Sequence, residues 1–271
     1  MSTFLYGGQV NANGIRQHYL RYGSADGEAL QPLILVPGIT SPAITWEFVA
    51  ERLGKQFDTY VLDVRGRGLS STGPDLNYDI DTCADDIIAF AETLGLNNYI
   101  LVGHSMGARF GIRAFSRGAS GMQRLVLVDP PVSGPGRRPY PSKLPWYVDS
   151  IRDATAGCDL ETMRNYCPTW TDEQLQLRCE WLHTCYTPAI ITAFNGFHDD
   201  DIHNDLPGIN IPVLLMVAGR GGVIEPVDEA EFRELLPDIL ISHVNDAGHM
   251  IPWDDYEGFF AAFGDFLGNP V

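Results

Sequence analysis

The chain has 271 residues with 45% hydrophobic and 20% charged side chains, a globular balance with room for one large domain holding an insertion, or for two small ones. Its 18 Lys and Arg stand against 35 Asp and Glu, and the formal net charge of −17 disfavours nucleic acid and anionic lipid as partners. No stretch approaches the roughly 20 apolar residues of a membrane helix, and Met1–Tyr6 has neither the basic start nor the apolar run of a signal peptide.

From the N-terminus, apolar and polar residues alternate around Asn13-Gly14, which predicts a β-hairpin. Apolar runs follow at Leu33–Val36, Tyr60–Leu62, Ile100–Val102, Leu125–Val128, Val213–Val217 and Leu240–Val244. Each has the length of a buried parallel strand and ends at Gly, Asp or Pro. Helical spacing lies between most of them, as at Cys83–Leu94 and Ala108–Phe115. The alternation predicts an α/β architecture, a mostly parallel central sheet with helices on both faces. From Ser133 to about Pro207 no strand pattern appears. That interval opens on the linker-like Ser133-Gly-Pro-Gly-Arg-Arg-Pro-Tyr-Pro and continues with helix formers and Trp146, Trp170 and Trp181. We expect a core of residues 1–133 and 208–271, interrupted by a helical cap at 134–207 over the carboxyl ends of the strands, where open α/β sheets put their ligands. The five cysteines form no Cys-x-x-Cys pair, so reduced thiols in a cytoplasmic protein are expected.

Gly103-His-Ser105-Met-Gly107 fits Gly-x-Ser-x-Gly. The motif is weak alone, but a strand precedes it and a helix follows, the setting in which a sharp elbow lifts a serine hydroxyl above the sheet. Such a hydroxyl needs a base to take its proton. His249 is the candidate, because it directly follows the last predicted strand; His18, His183, His198, His203 and His243 fall in the hairpin, the cap or a strand, and His104 lies within the elbow. A tetrahedral oxyanion needs two fixed N–H donors. The backbone of Met106 supplies one, and the loop Pro37-Gly-Ile39-Thr40 supplies the other, from Ile39.

These features, with Asp63-Val-Arg-Gly-Arg-Gly-Leu-Ser70, resemble the α/β-hydrolase superfamily over nearly the whole chain, and Ser105 excludes its aspartate-nucleophile branches. Many relatives have His-Gly where this chain has Pro37-Gly38. In this fold the triad acid usually follows the strand before the histidine-bearing one, yet that stretch here reads Gly219-Arg-Gly-Gly222. Glu225 and Asp228 come a few residues late, whereas Asp129 ends the preceding strand, a position some members use. Asp129 is therefore the expected acid, the alternative being a residue that only caps the turn before Pro130.

More specifically the chain is similar to the N-formylmaleamate deformylases of aerobic nicotinate degradation. The resemblance rests on Pro37–Trp46, Gly103–Phe110, Val128–Arg138, Lys143–Ile151, Glu180–Tyr186 and Ala218–Pro226. It implies a triad of Ser105, Asp129 and His249 and a small anionic organic substrate, with no metal, cofactor or obligate protein partner. Thr40, Arg109, Trp146, Trp181 and Tyr186 are the candidates for substrate binding, with Arg137, Arg138, Lys143 and Arg220 as further cations. An esterase, an enol-lactonase or a carbon–carbon bond hydrolase of aromatic catabolism would use the same triad, and a ligand receptor on a hydrolase scaffold is the non-enzymatic alternative.

Overall fold

Asn13 and Gly14 both take left-handed backbone, with φ of 46° and 74°, as a two-residue hairpin turn of type I′ requires. They join β1 (Phe4–Ala12) to β2 (Ile15–Tyr22) in a computed structural model that describes residues 2–26 and 29–271. Six further strands complete one sheet: β3 (Gln31–Val36), β4 (Phe57–Leu62), β5 (Tyr99–His104), β6 (Met122–Val128), β7 (Val213–Ala218) and β8 (Leu240–Val244). Their spatial order is β1-β2-β4-β3-β5-β6-β7-β8; β1 and β2 are antiparallel, and every pairing from β4 onward is parallel.

Side chains of a strand alternate between the two faces of the sheet, so each apolar run divides between two cores. Ile34, Val36, Leu101, Leu125, Leu127 and Leu215 belong to one. Leu33, Leu35, Ile100, Val102, Val126, Leu214 and Met216 belong to the other. The first face is covered by α2 (Ile80–Thr93), α3 (Met106–Ser116) and a helix nearer the C-terminus, Pro226–Leu235; the second by α1 (Glu47–Leu53) and the C-terminal helix Tyr256–Leu267. Full burial of such aliphatic side chains contributes about 1.5–3 kcal/mol each. β8 differs from expectation: it forms the sheet edge, leaving Leu240 53% exposed.

Between β6 and β7 no strand forms among the described residues. The chain instead makes α4 (Leu144–Thr155), α5 (Leu160–Arg164), α6 (Asp172–Trp181) and α7 (Thr187–Asp199). A reciprocal capping box of Thr171 and Gln174 starts α6. After β7 come α8 (the helix Pro226–Leu235), the single turn α9 (Ile251–Asp254) and α10 (the helix Tyr256–Leu267). Arg109 on α3 ties the helical segment down at both ends: Nη1 donates to the carbonyls of Pro131 and Ser133, and Nη2 to those of Gly196 and Asp200, at 2.7–3.0 Å.

Candidate active site

β5 runs into α3 through Ser105, whose φ of 52° and ψ of −115° lie where non-glycine residues rarely go. Its neighbours explain how so sharp a turn is tolerated. A Cβ on Gly107 would sit 2.0 Å from the Val36 carbonyl oxygen, and one on Gly103 would sit 2.5 Å from that of Gly107. Only glycine lets α3 lie this close to β3 and β5. The Ser105 N–H donates to the Val128 carbonyl at 2.8 Å, fixing the elbow against β6.

Asp129 follows β6 and is fully buried, with φ of 46°. Its Oδ2 lies 2.7 Å from Nδ1 of His249, and its Oδ1 accepts from the Ala218 N–H at 3.3 Å. Nε2 of His249 lies 3.0 Å from Ser105 Oγ. With the carboxylate accepting Nδ1–H, Nε2 is left to accept the serine proton. The loop carrying His249 is held by His104, whose Nε2 donates to the His249 carbonyl at 3.0 Å. Burial, and secondarily the nearby His249, pushes the His104 imidazole down to about 3, so it is a neutral prop. Tyr140 Oη is 3.4 Å from His249 Nε2 and receives the Tyr147 hydroxyl at 3.3 Å. Burial raises the Tyr140 phenol well above its ordinary value, so it remains a proton donor.

Position 222, which has no acid, takes backbone that favours glycine. Gly222 has φ of 119°, a conformation L residues rarely adopt, and Gly221 has φ of 80°. Glu225 lies at the N-cap of α8, and Asp228 accepts from Arg138 and from the Glu225 N–H. Neither is bonded to His249.

Met106 opens α3, where N–H groups lack intrahelical partners. Neither its N–H nor that of Ile39 has a hydrogen-bond partner among the described residues. Arg67, 1% exposed, supports both positions: Nε donates to the Ile39 carbonyl at 3.1 Å, and Nη2 lies 3.4 Å from Met106 Sδ. Asp63 braces the same loop, accepting from the N–H groups of Ala43 and Leu69 at 2.6 and 2.9 Å and meeting His18 Nδ1 at 2.7 Å. This is what the signature stretch Asp63–Ser70 does locally.

A cavity of about 450 Å³ opens beside Ser105. Residues 38–41, His104, His249, Met250 and Asp254 line it from the core, and Tyr140, Trp146, Tyr147, Trp170 and Arg178 from the helical segment. Of the expected binding residues, Thr40 and Trp146 line this cavity. Arg109, Trp181 and Tyr186 do not: Arg109 is consumed by four carbonyls, Trp181 sits half-buried at the end of α6, and Tyr186 packs on Tyr78 with ring centroids 5.8 Å apart. The other cations are also elsewhere. Arg137 pairs with Glu231, Arg138 with Asp228, Arg220 with Asp254, and Lys143 precedes α4 without bordering the cavity. The cation that does border it, Arg178, was not singled out in the sequence. Its signal was its place on the stripe Leu175–Arg178–Leu182, an arginine at a position whose helical neighbours are buried and apolar. Among the described residues no group of three His, Cys, Asp or Glu could hold a metal, and no helix is long and apolar enough to cross a membrane.

The sequence profile of the alpha/beta hydrolase fold matches residues 31–256. N-formylmaleamate deformylase of Pseudomonas putida KT2440 is 72% identical over 271 residues, spanning 100% of both chains. The solved N-formylmaleamic acid deformylase of Pseudomonas putida S16 superposes with a TM-score of 0.91 at 55% identity, covering 95% of this chain and 100% of the other. E-2-(acetamidomethylene)succinate hydrolase superposes with a TM-score of 0.78 at 23% identity, covering 98% and 99%, a likeness of fold alone.

Proposed function

The chain belongs to the α/β-hydrolase fold family, and from that premise we propose that it hydrolyses the formyl amide of N-formylmaleamate to formate and maleamate. The observation that carries this reading is the 72% identity, end to end, with a deformylase of that specificity. The serine–histidine–aspartate chain beside a cavity supplies chemistry of the required kind.

In the reaction we infer, Ser105 Oγ adds to the formyl carbon as its proton passes to His249 Nε2. Asp129 holds the imidazole in the right tautomer and stabilises the imidazolium. The N–H groups of Ile39 and Met106 receive the negative charge that develops on the formyl oxygen. Collapse of the adduct breaks the carbon–nitrogen bond, and His249 gives its proton to the departing nitrogen. That nitrogen is itself acylated, so it leaves more readily than a simple amine. Water, deprotonated by the same histidine, then releases formate from the formyl-enzyme. Residues 134–207 act as a cap that closes the cavity over these atoms. With five free cysteines, the cytoplasm is the compartment this reading assigns.

The test is formate release from N-formylmaleamate by the purified protein, beside a simple ester and an enol-lactone, with Ser105→Ala as control. Rapid formate release that vanishes in the control is expected. Brisk turnover of another substrate without formate release would overturn the proposal.

A further inference from the structure

Arg178 is 4% exposed and borders the cavity from α6. The other well-buried arginines have their charge met. Arg65 pairs with Asp86. Arg67 and Arg109 are surrounded by carbonyl oxygens. Arg178 has no such environment. Its Nε lacks any partner, and its Nη atoms make only long contacts, 3.4 Å to the Thr40 carbonyl and 3.2 Å to Thr40 Oγ1. No carboxylate lies within ion-pair distance among the described residues. Trp146 and Trp170 flank the guanidinium, each ring centroid 5.6 Å from Cζ. The aromatic faces favour a cation there but do not replace an anion. The acid bordering the cavity, Asp254, is already occupied, accepting the Gly248 N–H at 2.8 Å and pairing with Arg220 at 3.0 Å.

A guanidinium withdrawn from water and left with open donors is strongly unfavourable unless an anion completes it. We propose that Arg178 is the anchor for the substrate's carboxylate, so that the enzyme selects small formamides bearing one carboxylate remote from the scissile bond. The planar guanidinium suits a carboxylate by paired N–H donation. The cavity is roomier than so small a substrate needs, and such an anchor would restrict its pose. Thr40 adjoins Ile39, so the residue that takes the carboxylate also touches the loop carrying an oxyanion donor. The inference relies on the deformylase reading for the substrate's identity, not for the sign of its charge.

Two measurements separate the two. Calorimetric titration of maleamate into Ser105→Ala and into Ser105→Ala/Arg178→Met needs no turnover; the second variant is expected to bind on the order of a hundredfold more weakly, with Arg178→Lys recovering part of the loss. In turnover, Arg178→Met should lose about a hundredfold in kcat/KM on N-formylmaleamate, mostly through KM. Its loss on uncharged N-formylacrylamide should be at least about tenfold smaller. Thermal unfolding of each variant checks that the fold survives. Equal losses on both substrates, undiminished maleamate binding by the Arg178→Met form, or no maleamate binding by Ser105→Ala would each overturn the anchor. A parent enzyme that binds maleamate through Arg178 yet releases no formate would instead overturn the deformylase reading alone.

Discussion

On the sheet side of the cavity the side chains around Ser105 are already held by protein partners, and the unpaired N–H groups of Ile39 and Met106 belong to braced backbone. Asp129 holds His249, His249 meets Ser105, His104 holds the His249 carbonyl, and Arg67 holds the Ile39 carbonyl. On the helical side, Arg178 keeps Nε unpaired between two tryptophans. Groups that must stabilise a transition state work best when fixed beforehand, because reorganising them during reaction costs rate. A group that recognises a ligand does the reverse and keeps bonding capacity for it. Substitutions in the sheet wall should therefore lower kcat whatever the substrate, and those in the helical wall should change which substrate is taken.

The largest effect is expected at Asp129. Asp129→Asn should lower kcat about ten-thousandfold by upsetting the imidazole tautomer, while Glu225→Gln stays near the parent rate; steady-state formate release checks both. A reversed outcome would move the acid to α8. Next, Arg67→Met should cost about ten- to a hundredfold in kcat on charged and uncharged formamides alike, as loss of support behind catalytic groups typically does. A loss confined to the charged substrate would place Arg67 with the recognition wall and dissolve the contrast. Tyr140 precedes the insert helices, yet its hydroxyl reaches His249. Tyr140→Phe should cost up to about tenfold in kcat, the value of one neutral hydrogen bond; a loss as deep as that of Asp129→Asn would mean the chemistry is shared between the walls.

The smallest effect, at neutral pH none, concerns His104. Folded, it takes a proton only near pH 3, whereas an ordinary imidazole in the unfolded chain takes one near 6.5. Between those values the unfolded state binds more protons, so stability is complete above pH 6.5 and declines as pH falls, by up to about 1.4 kcal/mol per unit. His104→Gln keeps a donor for the His249 carbonyl and should flatten that decline in urea unfolding at pH 6.5 and below. An unchanged slope would show that His104 is not held neutral by the fold.

The sequence made the sheet wall legible because its constraints are local. Glycines must flank an elbow, a strand must precede it, and Asp129 ends a strand of recognisable pattern. Even the missing acid at Gly222 is visible in the sequence, although the φ of 119° there is not. The helical wall was legible only as helix. Which side chains face a cavity depends on how four helices pack on one another, and composition does not encode that. Arg109 lies outside the cavity for the same reason: one turn of α3 beyond Ser105, its guanidinium is carried under the helical segment.

That guanidinium has an engineering consequence. The polypeptide between Pro131 and Asp200 leaves and returns at one side chain, and its attachments there are carbonyl oxygens, which every amino acid possesses. At that junction a replacement helical module needs no particular residue; the ion pairs of Arg137 with Glu231 and of Arg138 with Asp228 are the side-chain ties it would have to reproduce or do without. Both ends of the helical segment are in that sense fastened to the core at a single side chain, one helical turn from Ser105.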